Sequence, residues 1–112
     1  MKLILHNRKS KEKYQYELQY VINNETHSVF FGLRGVVNYI DINDRRKKLY
    51  IKSEEQREAI KDDFRTKIDK NVLNKYNHPV TLEFYILYNK TTLRESIKQY
   101  QKIFGVYLKR VI

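Results

Sequence analysis

Three histidines, two adjacent aspartates, a Gly-x-x-Gly pair and a run of four cations are the residues of this chain whose types and spacing bear on chemistry. His6, His27 and His78 are far apart in sequence, no two at metal-ligand spacing, and no cysteine is present to join them. His6 and His27 could at most neighbour each other across a sheet. Asp62-Asp63 falls within a helical pattern whose apolar stripe leaves both out, so solvated carboxylates are expected there. No phosphate loop, nucleophile elbow or paired-carboxylate motif occurs. The expectation is a protein that is not an enzyme, with no cofactor and no metal. The absence of cysteine also removes disulfides and fits a reducing compartment.

The cations remain. Arg45-Arg46-Lys47-Lys48 follows the stretch VFFGLRGVVNYIDIND, in which Gly32 and Gly35 frame Arg34. Lys9, Lys11 and Lys13 form a second basic group near the N-terminus. Arginine suits phosphate because its planar fork donates two parallel hydrogen bonds. The candidate nucleic-acid-binding set is therefore Lys9, Lys11, Lys13, Arg34, Arg45, Arg46, Lys47 and Lys48. A solvated helix surface is the plainer account of the four-residue block. Gly-x-x-Gly clamps RNA backbone in some domains, but there it joins two helices, whereas here it follows a strand. A turn is the simpler reading of it, because glycine tolerates positive φ.

The whole chain supports the sign of that charge. Its 112 residues carry 23 basic and 13 acidic side chains, a net charge of +10. A field of this sign favours polyanions. Nothing in the pattern suggests reading of bases, so binding should be weakly specific and strongly salt-dependent. The length predicts a single domain over 1–112. The apolar part of MKLILHNRKSKEK is too short for a secretory signal, and the run from Leu82 to Tyr88 is too short to span a bilayer. No membrane association and an intracellular location are expected.

The elements that must carry these residues are legible in part. Lys2–His6 reads as a strand. Tyr14, Tyr16, Leu18, Tyr20 and Ile22 alternate with polar residues, the period of two of a strand with one buried face. Asn23-Asn24-Glu25 is a turn, and Thr26–Phe31 the returning strand. A short helix is expected within Asp41–Lys52, carrying the basic block. Ser53 and Gln56 fit a capping box for a second helix, which should end near Asp69–Asn71 with Ile60, Phe64 and Ile68 as its buried stripe. After His78-Pro79, the segment 80–89 fits a short buried helix better than a strand. Thr92 and Glu95 cap a helix whose face is Leu93, Ile97, Tyr100 and Phe104, and Gly105 closes it. Val106–Ile112 is a last strand or an extended tail. The fold class is α+β: a small antiparallel sheet, an N-terminal hairpin or three strands, packed against two or three helices. Leu49, Ile60, Phe64, Leu93, Ile97 and Phe104 should meet Tyr16, Leu18, Val29 and Phe31 in the core.

Two blocks carry a resemblance. FGLRGVVNY with the cations after it supplies Phe31, Gly32, Gly35, Tyr39, Asp44, Arg46, Lys47, Lys48 and Tyr50. ILYNKTTLRESIKQYQKIF supplies Leu87, Asn89, Lys90, Thr92, Leu93, Ser96, Ile97 and Phe104. Over residues 27–104 this resembles a family of small proteins of nucleocytoplasmic large DNA viruses. Its pattern has Asp, His, Trp and Pro where this chain has Asn38, Ile42, Tyr88 and Thr91. The positions of the pattern's Asp and His, Asn38 and Ile42, are read as structural. The resemblance brings no assigned activity. It implies a viral accessory or virion-associated protein, in the host cell cytoplasm or the virion. Two functions compete: phosphate-mediated contact with nucleic acid, or a protein–protein module that binds a viral or host protein through a tyrosine-rich sheet face.

Overall fold

The structure is a computed structural model that describes residues 1–111. It is α+β, a four-stranded sheet with helices on one side. The strands are β1 (Lys2–Asn7), β2 (Tyr14–Ile22), β3 (Glu25–Leu33) and β4 (Tyr107–Val111), in the spatial order β3-β2-β1-β4. The alternation read from Tyr14 to Ile22 is the pleat of β2. Tyr16, Leu18 and Tyr20 point into the core with Leu3 and Leu5 of β1 and Phe31 of β3. The Asn23-Asn24 turn places both residues at positive φ, 52° and 65°, which joins the hairpin tightly.

The fourth strand corrects the expected all-antiparallel sheet. β4 pairs parallel to β1, Leu3 opposite Leu108 and Leu5 opposite Arg110. A parallel neighbour needs a long crossover, and the whole helical segment supplies it. Nothing local to Tyr107–Val111 specifies that direction. Ile112, the end of the expected C-terminal segment, lies outside the described residues.

The helices are α1 (Tyr39–Asn43), α2 (Glu54–Lys67), α3 (Pro79–Leu82) and α4 (Leu93–Phe104). Every expected cap forms. The Ser53 hydroxyl accepts from the Gln56 amide at 3.2 Å, and that of Thr92 from the Glu95 amide at 3.2 Å. Gly105 closes α4 at φ 62°. The segment after Pro79 is helical as expected, with its second half widened into a π turn, Glu83–Leu87. That segment buries Leu82, Phe84, Ile86 and Leu87 beneath α4 and the sheet.

Four expectations are corrected here. The helix expected within 41–52 starts earlier and ends at Asn43, with Asn38 capping it through Oδ1 to the Asp41 amide at 2.9 Å. The basic block after it lies on successive turns, because Asp44 leaves helical geometry and bonds the backbone amide and guanidinium of Arg46. Leu49 is then exposed rather than in the core. The second helix ends at Lys67, short of Asp69–Asn71, where the Asp69 side chain caps a separate 3-10 turn. Its stripe is only half-buried: Phe64 stacks on Tyr88 at 3.8 Å between ring centres, and Tyr39 donates to Glu58 at 2.6 Å. α2 thus braces α1 and the π turn from the flank.

Candidate nucleic-acid interface

Arginine does two distinct jobs in this fold. Arg34 donates to the carbonyl oxygens of Arg8, Lys9 and Glu12, at 3.1, 2.8 and 2.8 Å. It ties the β1–β2 loop to the end of β3. Arg57 does the same for the segment before α2, donating to the Ile51 carbonyl at 2.6 Å. Arg65 donates to the carbonyls of Phe84 and Tyr88 and lies 3.7 Å over the Phe84 ring. Burial lowers the Arg65 pKa from its ordinary value. These side chains hold backbone that no ladder satisfies.

Arg45, Arg94 and Arg110 behave differently. Each is exposed, and none pairs with a carboxylate among the described residues. They come from the turn after α1, the first turn of α4 and the end of β4, and they meet around one hollow of about 400 Å³. Arg46 and Lys47 complete its rim. Both are paired: Arg46 with Asp44 at 3.0 Å, and Lys47 with the buried Asp41 at 2.5 Å. Hydrogen bonds from Arg46 hold the Asp44 carboxyl below its usual range.

Tyr16 lines the same hollow. The residue is only 8% exposed, but its hydroxyl is not a buried atom, and it makes no hydrogen bond among the described residues. Burial raises its pKa, against the pull of Lys47, Arg110 and Arg34, so the phenol keeps its proton as a donor.

The basic surface continues past this hollow. Tyr16 and Lys47 also line a second one of about 190 Å³, with Arg8 and Arg34. Arg8 then shares a third with Lys9, where Glu12 and Glu17 bring opposite charge. Of the expected set, Lys9, Arg34, Arg45, Arg46 and Lys47 fall on this track. Lys11, Lys13 and Lys48 are exposed but line none of its hollows, and Lys13 sits over the Tyr14 ring at 5.6 Å. Arg34 lies on the track with its guanidinium already engaged. Arg94, Arg110 and Tyr16 were missed as site residues. Arg110 left one trace in the sequence: it shares the inward parity of Leu108, an unusual place for a charge.

The other expected features lie elsewhere. Gly32 and Gly35 are turn residues at φ 76° and 88°. A Cβ on Gly32 would sit 3.1 Å from Leu87 and 3.2 Å from Tyr16, a tight fit that adds to the preference its positive φ already gives glycine there. His6 and His27 do not meet, because β2 separates their strands and their side chains take opposite faces. Among the described residues no three metal-ligating side chains gather. Asp62 and Asp63 are exposed, Asp63 pairing with Lys67 at 2.8 Å. The tyrosine-rich face is not the open one: Tyr16 and Tyr20 are buried under the helices, and Tyr14 is half-buried. No helix among the described residues is long and apolar enough to cross a membrane.

Asn38 and Ile42, read from the sequence as structural, make structural contacts, and so does Tyr88. Asn38 caps α1, and Ile42 is fully buried. Tyr88 donates to the Val37 carbonyl at 2.7 Å, while Thr91 lies in the turn before the α4 cap. Comparison with protein-family models, with curated proteins and with solved structures finds no match to this chain.

Proposed function

We propose that this protein is a basic binding module that holds nucleic acid through its phosphates, without reading bases and without a reaction of its own. The observation that carries the reading is the continuous track from Lys9 through Arg34 and Lys47 to Arg45, Arg94 and Arg110. Five separate segments contribute to it. Arg45, Arg94 and Arg110 have neither a carboxylate nor a carbonyl partner among the described residues, so they meet a phosphate without first breaking an interaction. A viral accessory or virion-associated setting belongs to the same proposal and rests on the motif resemblance. The protein–protein alternative loses support, because the tyrosine face it invoked is covered by helices.

Fluorescence anisotropy with random-sequence duplex DNA, single-stranded DNA and RNA across a salt series tests this. Affinity should fall steeply with salt, with a log–log slope of about −0.9 for each duplex phosphate neutralised. Changing Lys9 and Arg45 together to Ala should lower affinity and flatten the slope while circular dichroism is unchanged. Absence of binding to all three at low salt would overturn the reading.

A further inference from the structure

The track is not uniform. Most of it is exposed surface, whereas the hollow between the turn after α1, the α4 cap and the end of β4 is concave and about 400 Å³ in volume. That size lies within the range of small-ligand sites. Cations from three separate segments converge on it, with Asp44 as the acidic residue of its lining. Asp44 is already neutralised by Arg46. The Tyr16 ring is buried, while its hydroxyl makes no hydrogen bond among the described residues, is not a buried atom, and is available to donate into the same space. Leu93 and Ile40 add apolar wall beside these donors.

An internal phosphodiester presents one negative charge and continues into chain on both sides. A flat basic strip serves it best. A phosphomonoester ends the chain, carries up to two charges and offers three oxygens, so it can enter a concave site and take donors from several directions. The Arg45, Arg94 and Arg110 forks and the Tyr16 hydroxyl form such a set. The apolar wall suits the sugar or base that follows.

We infer that this hollow is a phosphomonoester site, which takes the 5′-phosphate of a nucleotide or of a nucleic-acid strand end. The inference rests on the nucleic-acid reading above and names what one part of that surface holds. Strand ends would be seated here, with the neighbouring nucleotides running along the basic track towards Arg34 and Lys9.

The test uses the full chain and one short single-stranded oligonucleotide with a 3′ fluorophore, prepared with either a 5′-phosphate or a 5′-hydroxyl. The phosphorylated strand should bind at least about tenfold tighter, the effect of one charge-assisted hydrogen bond. Arg94→Ala with Arg110→Ala should erase that preference and leave the hydroxyl strand bound at reduced affinity. Tyr16→Phe keeps the packed ring and should reduce the preference by itself. Lys9→Ala, at the far end of the track, should weaken both strands alike and preserve their ratio. A nucleoside 5′-monophosphate should compete, and the nucleoside should not. Competition by inorganic phosphate as strong as that by the nucleotide would overturn the nucleotide assignment in favour of free phosphate. Equal binding of both strands, or a preference untouched in the Arg94/Arg110 and Tyr16 variants, would overturn the site while leaving general phosphate contact intact. Loss of binding to both strands by the unaltered protein would overturn both readings.

Discussion

Adjacent cations in one basic block have unequal roles. Lys47 neutralises Asp41, a carboxylate only 4% exposed at the first turn of α1. Arg45, two residues earlier, is exposed and unpaired among the described residues. A removed partner leaves the buried group to bear its desolvation cost. Lys47→Ala should therefore destabilise the fold by about 1–3 kcal/mol. Arg45→Ala should change stability by less than about 0.5 kcal/mol. Urea unfolding monitored by far-UV circular dichroism separates the two. Equal effects would mean that the Asp41–Lys47 pair contributes nothing. The contrast also guides binding experiments, since a block substitution that includes Lys47 mixes lost affinity with lost structure.

Among the elements, the π turn at Glu83–Leu87 connects packing to pH. It widens the helix where Leu87 approaches Gly32 and Tyr88 reaches the Val37 carbonyl. Glu83 opens the turn and lines a hollow of about 280 Å³ with Tyr14, Leu33 and Val36. Burial raises its pKa from the ordinary value, and no hydrogen bond offsets this among the described residues. A raised carboxyl pKa means that the folded state binds the proton more tightly than the unfolded chain. Stability then falls as pH rises from the ordinary carboxylate range through the raised value, and the penalty is complete above it. Glu83→Gln should thus raise the Tm at pH 7, with the gain shrinking to nothing at acidic pH below the ordinary carboxylate range. A gain that stays constant across that range would show that charge is not its cause.

For the whole molecule, the net charge of +10 acts on folding and binding in opposite senses as salt is added. Like charges repel in the compact state, and screening relieves them. Raising ionic strength from about 0.01 to about 0.15 M shortens the Debye length from about 30 to about 8 Å. The Tm should rise over that interval while affinity for nucleic acid falls. A Tm that falls with salt would mean that the ion pairs outweigh the repulsion. The sheet is covered by helices on one face, so the basic track forms where strand ends, loop and helix caps meet beside that layer.

Local chemistry made much of this legible in the sequence. The β2 alternation, the Asn-Asn turn, the Ser53 and Thr92 caps and the Gly105 stop depend on neighbours within a few residues, and each formed as expected. The α+β class and the positive field follow from that pattern and from composition. What depended on distant partners was not legible. The parallel pairing of β4 with β1 joins residues more than a hundred positions apart. The basic block is a local exception: it became turns, because Asp44 met Arg46 and Lys47 met Asp41 instead of continuing a helix. Arg34 was engaged by the carbonyls of a loop far from it in sequence. Arg94 and Arg110 joined Arg45 only when the crossover brought the α4 cap and the end of β4 to the same side. Propensity and charge are properties of segments and can be read along the chain. Which cations stay free and share a hollow is decided by close approach in three dimensions, which only the folded structure provides.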